Sequence, residues 1–158
     1  MEDNVHFLYP AALFASKTPY MVTTILGSCI AVCMHDPILK IGGINHFMLP
    51  LWNGQGLASP KYGNIAIERL LEKMISLGCL KGNLQAKIFG GGEVIQTSVT
   101  QFNIGARNIK LAMEMLDELK IPVKGQSVGG KLGRKIIFNT DTFEIKQKFI
   151  QKTTIGES

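Results

Sequence analysis

The sequence predicts a single layered α/β domain with a mixed sheet, and three observations lead there. Short runs of β-branched and apolar residues recur along the chain, broken by Gly, Pro and Asp-Pro. Two longer stretches, residues 62–77 and 104–119, instead carry apolar side chains at helical spacing. Many of the links between neighbouring strands are short enough for hairpins, so the sheet is not purely parallel. With 158 residues and 46% apolar content, the chain is long enough to bury one substantial core.

Taken in order, residues 5–9 and 11–15 read as short strands separated by Pro10. Residues 16–20 form a polar turn containing Pro19. Two longer strands follow over 21–35, interrupted at Gly27-Ser28, and over 41–49. Asp36-Pro37 opens the turn between them. That hairpin brings His46 back toward Cys29. Residues 52–60 are Gly-rich and polar, and read either as a plain surface loop or as a lip over a site. In the first helix, Ile67, Leu70, Leu71, Met74 and Ile75 share one face, Glu68, Glu72 and Lys73 lie toward water, and Gly78 is the stop. Residues 86–89 form a short strand leading into Gly90-Gly91-Gly92. That run is not a phosphate loop, because no G-K-[ST] follows. Asn103 is placed to cap the second helix, whose apolar face includes Ile109, Ala112, Met113, Leu116 and Leu119. Strands over 123–128, 134–138 and 142–148 complete the set. Residues 1–150 are expected to form the domain and 151–158 a disordered tail.

Composition narrows the function classes. No apolar run approaches the ~18 residues that argue for a membrane-spanning helix, so no membrane insertion is expected. The start, MEDNVHFLYP, lacks the basic region of a secretory signal. Three cysteines, an odd number without framework spacing, fit a reducing cytoplasm. The formal charge of +5 favours acidic partners. Nucleic acid is not expected, because aromatics are only 8% and do not interleave with basic residues.

The chemistry concentrates in residues 23–50, TTILGSCIAVCMHDPILKIGGINHFMLP. Cys29 follows Gly27-Ser28 directly after a β-branched run, and His46 lies in a second apolar run. Only a thiolate attacks well, and a histidine that takes the thiol proton leaves a thiolate–imidazolium pair. Glycine allows a sharp turn at Gly27-Ser28. Such a turn aims the backbone N–H groups of Gly27, Ser28 and Cys29 at one point, where an oxyanion would form. Against this, free cysteine is most often a buried small hydrophobe; Cys33 and Cys79 are read that way. A zinc set of Cys29, Cys33, His35 and His46 lacks the tight ligand pairs of such sites. No metal and no other cofactor is expected.

The motifs LGSC, GGINHFMLP, KYGNIAIERLL, AKIFGGG, NIGARNIKLA and SVGGKLGRKIIF, in this order over residues 23–138, resemble the chemoreceptor glutamine deamidases, the CheD family. The resemblance implies an α/β/α sandwich with Cys29 as nucleophile, His46 as its base and Thr23 as the residue that orients the imidazole. Thr24 points to the opposite strand face and is set aside. The departures Asn64, Ser127 and Gly92 touch the frame. The implied reaction is hydrolysis of a receptor glutamine to glutamate through a thioester, with glutamyl methyl ester hydrolysis open to the same site. The implied partners are the acidic helical rods of chemoreceptors, met on a shallow groove. Arg107, Lys110, Lys131, Arg134 and Lys135 are candidates for steering them. The alternative from another class is a binding module that stimulates a CheC-type phosphatase; a cysteine peptidase is disfavoured for lack of signatures.

Overall fold

The computed structural model describes residues 4–93 and 103–150. Its strands are β1 (Val5–Phe7), β2 (Leu13–Ser16), β3 (Met21–Leu26), β4 (Ile30–Asp36), β5 (Ile41–Asn45), β6 (Gln85–Gly90), β7 (Val123–Val128), β8 (Gly133–Asn139) and β9 (Ile145–Ile150). Helix α1 (Gly63–Ser76) precedes β6, and α2 (Ile104–Glu118) precedes β7. The strands form two sheets, ordered β2-β5-β4-β6-β7 and β1-β3-β8-β9. Each is mixed: β1–β3 and β6–β7 run parallel, while β3–β8, β8–β9, β2–β5, β4–β5 and β4–β6 run antiparallel.

The predicted class, one α/β unit with mixed pairing in three layers, matches this architecture, but the layers are ordered α/β/β. Ala66, Ile67, Leu70 and Met74 of α1 and Ala112 and Leu116 of α2 pack with Ile30, Val32, Met34 and Ile88 of the five-stranded sheet. Ala31, Cys33, Ile44 and Phe89, on its other face, meet Val22, Leu26, Ile136 and Phe138 of the four-stranded sheet. Both long helices thus cover one face, and a second sheet, not a third layer of helices, closes the other. Burial follows from this arrangement. All seven residues of β4 are buried, since both of its faces are covered. β8 alternates, with Arg134, Ile136 and Phe138 inside.

Several local expectations change. Gly78 ends α1 with φ +108°, and the N–H groups of Gly78 and Cys79 turn back to Ile75 O and Met74 O, but Ile75 itself is exposed. Asn103 precedes α2 with a left-handed φ of +71° and makes no side-chain capping bond. Gly27 does not use a positive φ; that freedom is spent at Gly90 and Gly91, at +109° and +70°. Arg134, a steering candidate, is buried. Its guanidinium donates to Ser127 O at 2.6 Å, to Ser127 Oγ at 3.2 Å and to Gly129 O. It therefore holds the β7–β8 link and does not face a partner. The segment from 52 to 60 is tied down where Asn64 Oδ1 accepts Trp52 N–H at 3.0 Å. The proposed tail, 151–158, lies outside the described residues.

Candidate active site

β3 belongs to one sheet and β4 to the other, so Gly27-Ser28-Cys29 is the crossing between them. The three carbonyls of this crossing are each held from behind. Gly92 N–H donates to Gly27 O at 2.9 Å and Gly91 N–H to Cys29 O at 2.8 Å; Asn108 Nδ2 donates to Ser28 O at 3.0 Å. The N–H groups of Gly27 and Ser28 reach no acceptor among the described residues, and that of Cys29 meets only its own thiol. Close approach explains the glycines around the loop. A Cβ on Gly90 would collide with Cys29 O, and one on Gly105 with the backbone of Gly91 and Gly92. The run AKIFGGG and the start of α2 are thus the bed on which the cysteine loop lies.

His46 arrives from the adjacent strand. Ile30 and Phe47 exchange both backbone hydrogen bonds, at 3.1 and 2.9 Å, in register with the Cys33–Ile44 pair further along. That register sets Ala31 opposite His46 and makes Cys29 the diagonal neighbour on the same face, toward the four-stranded sheet. The backbone of His46 is pinned from the chain before β2: Ala11 N–H donates to His46 O at 2.8 Å, and His46 N–H to Ala12 O at 3.2 Å.

The imidazole is oriented by Thr24. Thr24 Oγ1 lies 2.7 Å from His46 Nδ1 and donates to Leu8 O at 2.7 Å. A carbonyl only accepts, so the one hydroxyl proton is committed to Leu8 O. Toward His46 the oxygen must accept, and Nδ1 therefore carries the ring proton. Nε2 is left with a free lone pair; it is buried and without a partner among the described residues. Thr23, the residue expected in this place, points the other way and lines a shallow groove with Phe7, Ile25 and Lys135. The alternation along β3 was anticipated, but its inward set is Val22, Thr24 and Leu26.

Burial sets the charge state. It pushes the His46 pKa from 6.5 down to about 4. Desolvation pushes the Cys29 thiol up, opposed by a smaller pull from its own backbone N–H. Both groups thus rest neutral, Cys29 as a thiol and His46 as an uncharged imidazole. Between pH 6.5 and 4 the unfolded chain protonates this histidine and the folded chain does not, so stability falls as pH drops through that window and levels off below it. The full loss is roughly 3 kcal/mol. His35, also lowered chiefly by desolvation, acts in the same direction. Urea midpoints compared at pH 7 and 4.5 should therefore shift less in His46→Gln than in wild type; equal shifts would remove His46 as the cause.

The family described as CheD chemotactic sensory transduction matches residues 48–149. The chain belongs to the CheD family. It is 53% identical over 137 residues to a probable chemoreceptor glutamine deamidase CheD of Trichlorobacter lovleyi, covering 87% of this chain and 85% of that one. It is 41% identical over 159 residues to a protein of the same name from Sulfurimonas denitrificans, covering 97% and 99%. A third relative, a probable chemoreceptor glutamine deamidase CheD 1 of Anaeromyxobacter dehalogenans, is 41% identical over 135 residues, covering 85% and 78%. The family match begins just past His46 and does not include Cys29.

In this CheD chain the four-residue zinc set is not assembled: among the described residues no three of His, Cys, Asp and Glu form a metal-holding group, and His35 Nε2 is engaged by Asp141 O at 2.8 Å. Cys33 and Cys79 are buried core residues, as expected. Arg107, Lys110, Lys131 and Lys135 are exposed, and Lys110 lies 3.9 Å from Glu114. No helix among the described residues is long and apolar enough to cross a membrane. Thr24 was set aside in favour of Thr23 on the sequence, and Asn108 was not singled out. The second had a signal: an asparagine in the apolar stripe of a helix is a poor choice unless its amide is bonded.

Proposed function

We propose that this chain hydrolyses glutamine side chains of chemoreceptors to glutamate. The observation that carries the reading is the bare Nε2 of His46, fixed in that tautomer by Thr24, on the register diagonal of the partly open Cys29. Cys29 Sγ attacks the side-chain carbonyl carbon while His46 Nε2 takes the thiol proton. The oxyanion accepts from the N–H groups of Gly27, Ser28 and Cys29. Each such donor is typically worth roughly 100- to 1000-fold in rate. The C–N bond then breaks, Nε2–H protonates the departing ammonia, and a thioester remains. Water, deprotonated by Nε2, attacks the thioester, and the proton returns to the sulfur as glutamate leaves. The names of the relatives, chemoreceptor glutamine deamidases, supply the substrate class. A glutamyl methyl ester would form the same thioester, with methanol leaving.

The domain so assigned is 1–150, working in the cytoplasm, where the signalling ends of receptors would be met. The test is incubation of a receptor cytoplasmic fragment with the protein, followed by peptide mass spectrometry for glutamine-to-glutamate conversion. Conversion by wild type and none by Cys29→Ala is the expected result. The alternative, a module that stimulates a CheC-type phosphatase, makes no use of the thiol. Phosphatase stimulation by wild type and Cys29→Ala alike, with no receptor converted by either, would replace the enzyme reading.

A further inference from the structure

We propose that Asn108 is a positioning residue that holds the cysteine loop and the histidine strand at a fixed separation. The inference rests on the assignment of Cys29 and His46 above, and its own geometry is independent of the substrate. Asn108 is fully buried in the second turn of α2, within a stripe that also contains Gly105, Ala112 and Leu116. Its Nδ2 donates to two carbonyls far apart in sequence, Ser28 O at 3.0 Å and Met48 O at 3.1 Å. One precedes the nucleophile directly and the other lies two residues past the base.

The β4–β5 ladder explains why this amide is needed. Ile30 and Phe47 are its last pair to exchange hydrogen bonds. In an antiparallel register the next such pair would be Ser28 with Leu49. That rung is missing, because Leu49 N–H donates instead to Lys61 O at 3.1 Å, and Leu49 O accepts from Gly63 N–H at 2.7 Å. The two chains therefore fork at the point where Cys29 must open to substrate. Asn108 occupies the fork: it gives Ser28 O the donor that Leu49 N–H no longer provides, and its second proton ties Met48 O of the other chain to the same amide. Both protons of its NH2 group are used, so its orientation is fixed. A carboxylate in the same place has no proton to donate and would face two carbonyl oxygens. Gly105 lets the helix approach closely enough for the amide to reach.

The test uses Asn108→Leu, which keeps the branched outline but is bulkier and removes the donors, and Asn108→Asp, which keeps the shape. Displacement of a reacting group by about 1 Å can cost 100-fold, so kcat for glutamine conversion should fall about 10- to 100-fold with little change in KM. A substrate-free readout is the rate at which iodoacetamide alkylates Cys29. Asn108→Leu should slow it as His46→Ala does, and the double variant should be no slower than either single one, as expected for groups acting as a unit. For Asn108→Asp, activity relative to wild type should recover as pH is lowered, because the protonated carboxyl regains one donor. A folded Asn108→Leu with wild-type kcat overturns the proposal, as does additivity with His46→Ala in the alkylation rates. Should the leucine variant not fold, Asn108→Asp with wild-type kcat and an unshifted pH profile overturns it equally. If wild type converts no receptor glutamine while the alkylation rates behave as stated, the positioning role stands and the substrate assignment fails.

Discussion

Cys29→Ala and His46→Ala should each bring glutamine conversion to the same low floor, at least about 1000-fold below wild type, and the double variant should fall no further. Both groups rest neutral. A thiol whose pKa is raised by burial is a poor nucleophile until its proton has somewhere to go. The one lone pair on offer is Nε2 of His46, which nothing else among the described residues engages. Without His46 the sulfur cannot shed its proton into the apolar space between the sheets. Without Cys29 the imidazole can activate only water, which is neither held in place nor able to form the thioester. The two groups are parts of one step, so their losses do not add. Cys29→Ser should stay close to the floor, because a hydroxyl surrenders its proton less readily than a thiol. Initial rates on a receptor fragment, quantified by mass spectrometry, are the measurement. A double variant much slower than both single ones would mean that the residues act separately, and the proton-transfer scheme would have to be abandoned.

How far the sequence reached depends on how local each cause is. The placing of Cys29 and His46 on one face was legible because a cysteine beside Gly-Ser and a histidine in the returning strand are set by a single hairpin, β4–β5. The helices were legible from their apolar spacing, and β4 from its continuous apolar run. The layer order was not, because an amphipathic helix announces a buried face without saying which side of which sheet it covers. The choice between Thr23 and Thr24 failed for the same reason. A period of two separates the faces of β3, but which face looks inward is decided by pairing with β1 and β8, and by the second sheet stacked on it. Arg134 misled because a basic residue reads as exposed. Its burial is compensated by acceptors at Ser127 and Gly129, presented by a link with φ near +82° and +81° at Gly129 and Gly130. Asn103 shows a limit of another kind: the helix start was found, but the entering backbone is left-handed and the expected cap bond is not made.

Thr24→Val is expected to slow glutamine conversion by roughly 10- to 100-fold and to cost about 1–3 kcal/mol of stability, whereas Thr23→Val should change stability by no more than about 0.5 kcal/mol and leave the rate unaltered. Valine matches threonine in shape, so the packing of β3 against β8 survives. What disappears is the hydroxyl that accepts from Nδ1–H and donates to Leu8 O, both at 2.7 Å. Two buried polar groups then lose their shared partner, which is the source of the stability cost. The kinetic cost arises because the ring is no longer held to the tautomer that keeps Nε2 bare, and because the imidazolium formed during attack has no acceptor for Nδ1–H. Thr24→Ser restores a hydroxyl on a less constrained side chain and should recover most of the rate, since orientation and not charge is what the residue contributes. Thr23 faces the outer surface of the four-stranded sheet beside Phe7, Ile25 and Lys135, where a methyl for a hydroxyl alters nothing near the imidazole. Rates on a receptor fragment and urea midpoints for the three variants form the comparison. A rate loss in Thr23→Val equal to or greater than that in Thr24→Val would return the orienting role to Thr23 and require a different packing of β3 against the histidine strand.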